Sequence, residues 1–484
     1  MTRLLALGID ALELDHLKLH LDILPTFKVL LEKHSKIDLN STAHTLDASV
    51  WPTFNSASLP GEHGVYFPLQ WDPSSITCKH LNDNPIWDKY PIYWQEPIYK
   101  EMRVGLLDLP MLPPRITGAD NTTYFHWHTQ ESGPAIRNNR SSEWQRIANR
   151  IAPPTLGADV PADLQPREAT ALKNRAIESI HRRTQVILEL LRTDNWDCFV
   201  GVYSEIHRAG HYFWPDPEST EYTLNQDRMR ALYVSLDHAL GKLLEESPPN
   251  YTLCLFALHG MAPNNSQAHF LPELLQSFAT KHCASRNPSY ARATRWLRNN
   301  LHPTLQRKVG ALVGRQIRDR VIGAQYVGGV DWCRTPAYCV PTGGQGFVRF
   351  NLKGREALGC IDFNSERYKE LSSALKYELE ELRDHDTGKL LVEEIVNTHS
   401  DWQGSGAALL PDLSIIWQDL PPARCAIAPS LGTFKAHILS GRGGNHTPSA
   451  FALIDPKIAA YTSDHPQHIS GLGPFLFGAA LHGT

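Results

Sequence analysis

The sequence predicts an α/β protein whose mainly parallel sheet is covered by helices on both faces. Three observations carry that expectation. Short, unbroken apolar runs recur along the chain, as strands buried on both faces require. Between several of them lie long stretches with helical periodicity. Some of the runs close on Asp or His, the positions where an α/β fold exposes ligands at the carboxyl ends of its strands.

The first run, Leu4 to Ile9, ends in Asp10 and is followed by an amphipathic stretch from Leu24 to Leu31. Further strand candidates are Val104 to Leu109, Cys198 to Tyr203, Tyr251 to Leu258, Phe347 to Asn351 and Leu413 to Trp417. Glu168 to Thr193 carries Leu172, Ala176, Ile180, Ile187 and Leu191 at helical spacing, and Gln226 to Glu246 repeats the pattern with Met229, Leu232, Leu236, Leu240 and Leu244. Pro153 to Pro166 is proline-rich and reads as a surface crossing. Residues 281–320 hold Lys281, Lys308 and eight arginines against Asp319 alone. This basic, partly helical insertion is either a solvated cap or a lid that steers an anion. The expected division is a core over 1–280, the insertion over 281–330, and a second core part over 331–484.

Composition narrows the function. A chain of 484 residues with 42% apolar and 20% charged residues has ample material for a buried core. A formal charge of −4 disfavours general nucleic-acid binding. No run reaches the roughly 18 apolar residues of a membrane span, and MTRLLALGID passes straight into a strand without a signal-peptide pattern. The 8 cysteines show no CxxC spacing and read as reduced core residues. The expected compartment is the cytoplasm; oligomeric state stays open.

His207 and His211 in SEIHRAGH, with His446 in SGRGGNHTP, are the strongest chemical signal. Neutral imidazoles brought together by a fold hold zinc or a similar borderline metal. Spacing alone is weak evidence. With 23 His in the chain, chance places about one His-x-x-x-His pair, and His16 and His20 form another. The first pair is distinguished by following directly on the strand Cys198 to Tyr203. Asp10 is either a ligand at a strand end or a helix N-cap, and His259 closes a strand before Gly260. His446 sits in a glycine-rich loop that can carry a ligand inward. Trp51 and Thr53 follow a turn into a helix whose N–H groups suit an anionic oxygen. Arg137, Asn138, Asn139, Arg140 and Arg150 are candidate substrate-side groups by polarity alone.

Taken in order, LLALGID, SVWPTFNSASLPGEHGVY, SEIHRAGHYFW, FALHGM and GRGGNHTPSAF resemble the alkaline phosphatase superfamily. The similar branch is that of type I phosphodiesterases/nucleotide pyrophosphatases and phosphomutase-like phosphohydrolases. VDWCRTPAY, FVRFNLKGREALG, DTGKLLV and LPDLSIIW extend the resemblance, which covers most of the chain outside 110–170 and the insertion. It implies a three-layer α/β/α sandwich with an inserted cap and a divalent-metal site of one or two ions. Zinc is the expected metal, with manganese or iron as alternatives. One ion falls to His207, His211 and His446, the other to Asp10, His259 and the residue at 258.

The sequence departs from the family at three places. His207 replaces an Asp, Leu258 replaces an Asp ligand, and Asp47 stands where the family has a Thr or Ser nucleophile. Asp47 is preferred as a replacement ligand to the second ion. General base, nucleophile or turn residue remain open, as does a shift of the nucleophile role to Ser49. The expected function is metal-dependent hydrolysis of a phosphate ester, a phosphodiester or nucleotide-like small molecule foremost. The alternatives are a sulfate ester, a phosphonate or another anionic group, and a metal-binding member that acts through a partner without turnover.

Overall fold

The computed structural model describes residues 3–81, 92–112, 121–128, 142–154, 156, 164–284, 330–436, 441–461 and 464–482. Most of the basic insertion, and Arg137 to Arg140, lie outside these residues.

Seven strands form the central sheet: β1 (Arg3–Ile9), β2 (Ser35–Leu39), β3 (Val104–Leu107), β4 (Thr122–Phe125), β5 (Cys198–Tyr203), β6 (Tyr251–Ala257) and β7 (Ala450–Ile454). Their spatial order is β2-β7-β6-β1-β5-β3-β4. β1 pairs in parallel with β5 and β6, and β3 with β4 and β5. β7 runs antiparallel to both β2 and β6. The α/β class with a mainly parallel sheet is therefore as expected.

Alternate residues of β1 enter two separate cores, which explains its unbroken apolar run. Leu5, Leu7 and Ile9 pack with Ile180 and Ile187 of the helix Pro166–Thr193 and Leu232 and Leu236 of the helix Tyr222–Glu246. Leu4 and Ala6 pack on the other face with Phe54 of the helix Val50–Ser56 and Leu472 and Leu476 of the helix Ile469–His482. Each such leucine contributes about 1.5–3 kcal/mol by leaving water. Leu244, at the end of its predicted stripe, is exposed instead.

Two predicted strands belong elsewhere. Phe347 to Asn351 and Leu413 to Trp417 appear as Gly346–Phe350 and Leu413–Trp417 in a separate four-stranded antiparallel sheet with Ala337–Cys339 and Val392–Asn397. The helices Leu271–Cys283 and Glu366–Glu380 supply its own apolar cluster. A run buried on both faces has the same composition in either kind of sheet, so periodicity did not separate them. β2, β4 and β7 were not anticipated. Among the described residues no helix is long and apolar enough to cross a membrane.

Candidate active site

The carboxyl ends of β6, β1 and β5 are adjacent in the sheet, so the residues that follow them meet at one point. β1 ends at Asp10. β5 leads through Ser204 into the helix Glu205–Phe213, which places His207 and His211 one turn apart on the same face. β6 leads to Leu258 and His259. The chain then continues as the strand Gly260–Pro263, which pairs antiparallel with Gly444–Thr447 and sets His446 opposite Met261. Four distant segments are thus joined by sheet order and one short ribbon.

A buried ion network anchors the histidine helix from below. Arg183, fully buried, donates from Nε and Nη2 to Glu205 Oε1 at 3.0 and 2.9 Å and reaches Asp108 with Nη1. Ser179 Oγ donates to the same Glu205 oxygen at 2.6 Å. Arg183 pairs with both carboxylates, so removing it would strand two buried negative charges.

Three imidazole nitrogens converge. His207 Nε2 lies 2.9 Å from His211 Nε2 and 2.7 Å from His446 Nε2. The opposite nitrogen of each ring meets an oxygen. His207 Nδ1 is 2.5 Å from Asp10 Oδ2, and His211 Nδ1 is 3.0 Å from the Gly444 carbonyl oxygen. His446 Nδ1 faces Asp47 Oδ2 at 3.5 Å, longer than a well-made hydrogen bond. His259 stands beside the trio, its ring centroid 4.4 Å from that of His446. Its Nε2 is 3.1 Å from Asp10 Oδ1 and its Nδ1 3.1 Å from the Gly260 carbonyl oxygen.

The two carboxylates are held differently. Asp10 is buried at the end of β1 and accepts the Trp51 indole N–H at 2.8 Å. Burial alone would raise its carboxyl, but the His207 and His259 imidazoles outweigh burial and hold it well below the ordinary range. Asp47 accepts backbone N–H groups from Ala48 at 2.8 Å and Gly344 at 3.0 Å. Burial again opposes ionisation, and the His446 imidazole with those two N–H groups lowers it. Gly343 allows this approach, since a Cβ there would lie 2.3 Å from Asp47 Oδ2.

Both remaining imidazoles with a clear shift favour the neutral form. Burial, aided by the charges of Arg442, His207 and His446, pushes His211 well below its ordinary value. Burial and the neighbouring His259 take His446 down to about 3. Neutral imidazole is the form that offers a lone pair to a metal. Among the described residues two groups have the spacing to hold an ion: His207 with His211 and His446, and Asp10 with His207 and His259.

The structure thus gathers Asp10, Asp47, His207, His211, His259 and His446, but it sorts them in a way the sequence did not suggest. Asp47 sits beside His446 rather than with Asp10 and His259. Ser49 is turned away from the cluster. It is fully buried, and its hydroxyl lies 2.7 Å from both Thr42 Oγ1 and the Leu46 carbonyl oxygen, to which it donates. A nucleophile's role at Ser49 conflicts with that geometry. Thr53 Oγ1 faces His63 Nε2 at 3.1 Å in the core. Arg150 is exposed and pairs with Glu189 at 2.9 Å. Leu258 is buried in the apolar cluster beside Phe256. Trp51, singled out in the sequence, contributes its indole N–H, whereas Gly344 and Gly444 contribute backbone groups, which leave no mark in residue type.

The family described as type I phosphodiesterase / nucleotide pyrophosphatase matches residues 4–416. The chain belongs to this family. It is a phosphoric ester hydrolase, as expected from the sequence. Among solved structures, phosphonoacetate hydrolase from Sinorhizobium meliloti 1021 in complex with phosphonoformate is 11% identical. The match covers 100% of this chain and 96% of that one, with a TM-score of 0.56. Wild-type alkaline phosphatase PafA is 13% identical over 99% of this chain and 96% of its own, also with a TM-score of 0.56. At these identities the two establish a shared fold, that of the alkaline phosphatase superfamily. Comparison with curated proteins gave no match.

Proposed function

We propose that this phosphoester hydrolase uses a divalent ion, zinc by its chemistry, held by Nε2 of His207, His211 and His446. The observation that carries the reading is the convergence of three Nε2 atoms while every Nδ1 faces an oxygen. Zinc–nitrogen bonds are about 2.0–2.1 Å long, which sets tetrahedral ligands about 3.3–3.4 Å apart, so the nitrogens at 2.7 and 2.9 Å would part by about half an ångström to hold an ion. An acceptor behind a ligating imidazole fixes its tautomer and raises its basicity. Three protein ligands also leave a tetrahedral ion one open position.

When bound, such an ion stabilises charge on a phosphoryl oxygen and lowers the pKa of water in its open position. The protein's own groups set the rest. Asp10 and Asp47 orient the rings of His207 and His446, and both carboxylates are favoured in ionised form. Asp47, fixed by two backbone N–H groups, is also the acceptor placed to take a proton on the His446 side. Arg442 adds one positive charge close enough to act on His211. Two carboxylates against one divalent ion and one arginine leave a single positive charge, which complements a singly charged phosphodiester better than a doubly charged monoester.

The test is a panel of chromogenic phosphodiesters, phosphomonoesters, sulfate esters and phosphonates, run on metal-free protein with zinc, manganese or iron restored. Zinc-dependent turnover with diesters ahead of monoesters is expected. Full turnover by metal-free protein would remove the ion from the reaction, and a monoester preference would remove the charge argument.

A further inference from the structure

The resemblance to two-metal hydrolases implies a second ion on Asp10 and His259, and this chain's residues do not fit one. Asp10 already accepts two hydrogen bonds, from Trp51 and His207, and faces Nε2 of His259, whose hydrogen is directed from Nδ1 at the Gly260 carbonyl. Oδ1 meets Trp51 Nε1 at 2.8 Å and His259 Nε2 at 3.1 Å, and Oδ2 meets His207 Nδ1 at 2.5 Å. The indole nitrogen is a donor in every protonation state, so its hydrogen takes one of the two lone pairs of Oδ1.

His207 is common to both groups with ligand spacing. A neutral imidazole has one lone pair and one N–H. With the lone pair on Nε2 directed at His211 and His446, Nδ1 carries the hydrogen and donates it to Asp10. The second group then retains two ligands at most. Neighbouring positions do not replace the lost one. Leu258, next to His259, is buried and apolar. Asp47 is tied to Ala48 and Gly344 and faces His446, and Glu13, beside Gly260, accepts the Thr447 hydroxyl at 3.0 Å.

We infer that the site is mononuclear, with Asp10 serving as the positioning carboxylate for His207 instead of as a ligand. Asp47 holds the same relation to His446, and the Gly444 carbonyl to His211. Each ligand therefore has its own acceptor, two of them charged. Two buried carboxylates behind neutral imidazoles raise ligand basicity, which offsets the absence of a carboxylate in direct contact with the ion. This inference rests on the ion reading proposed above.

Element analysis of the full chain, purified without chelators and again after saturation with zinc and removal of the excess, tests it directly. One ion per chain is expected in both preparations. Two ions per chain after saturation would overturn the mononuclear site while leaving the metal-dependent reading intact. No bound zinc, manganese or iron would overturn both. Cobalt(II) titration of wild type and Asp10→Asn adds a readout independent of turnover. The variant should bind one cobalt with affinity reduced roughly 10–100-fold and with absorption bands at the wild-type positions. Displaced bands would make Asp10 a ligand, and unchanged affinity would remove its positioning role.

Discussion

His16 and His20 have the same spacing as His207 and His211, but the two pairs sit in different surroundings. The helix that carries His16 ends at Lys18, so His20 lies beyond it and the one-turn stacking is lost. Their rings meet edge-on at 5.4 Å between centroids, and His16 Nδ1 is 2.9 Å from the Tyr233 hydroxyl. Neither ring belongs to a group with metal-ligand spacing among the described residues. His207 and His211 stay within one helix, point Nε2 at a shared place and meet a third imidazole delivered by a strand pairing. The contrast shows that two histidines four apart are common material. A site needs a third ligand from another segment and an acceptor behind each ring.

The strongest test of that contrast is a pair of substitutions. His211→Ala should cost about 4 kcal/mol or more of barrier, roughly 10³-fold in kcat/KM with a diester, and reduce bound metal. His20→Ala should change activity by less than about twofold, as surface substitutions usually do. Equal losses in the two variants would break the comparison.

The helix that makes the second pair work depends on the ion network beneath it. Arg183→Met leaves Asp108 and Glu205 buried without their shared partner. Urea denaturation should show about 3–5 kcal/mol of lost stability, the usual cost of stranding a buried charge. A loss below about 1 kcal/mol would mean the helix is held by its apolar face alone.

A smaller effect concerns a buried histidine with no metal partner. His63 is fully buried, accepts the Val65 N–H on Nδ1 at 3.0 Å, and is pushed by burial down to about 3. Its folded pKa lies below its unfolded value near 6.5, so the unfolded chain takes up the proton first as pH falls. The stabilising contribution is complete above the unfolded value and declines between pH 6.5 and about 3. Between pH 7 and pH 5 the wild type should lose about 2 kcal/mol more stability than His63→Gln. Parallel pH profiles for the two proteins would show that His63 keeps its proton when folded.

Much of this was readable in the residues because the relevant physics is local. β1, β5 and β6 were legible as unbroken apolar runs, since a strand buried on both faces admits little else. The helices Pro166–Thr193 and Tyr222–Glu246 were legible from apolar periodicity. β2 was not, because its sequence SKIDL at a sheet edge buries only two residues. β4, TTYF, opens on two threonines and so is not an unbroken apolar run, whereas the apolar β7, AFALI, carries the same signal as the anticipated strands yet was not anticipated.

Ligand-type side chains at strand ends were fixed by the sequence alone, as was the apolar side chain of Leu258 beside His259. Which oxygen faces which nitrogen was decided only in three dimensions. Asp10 lies behind His207, Asp47 behind His446 and a Gly444 carbonyl behind His211. Residue type states what a group can donate or accept, whereas the partner it meets is set by sheet order, one ribbon and a diglycine turn from a second sheet.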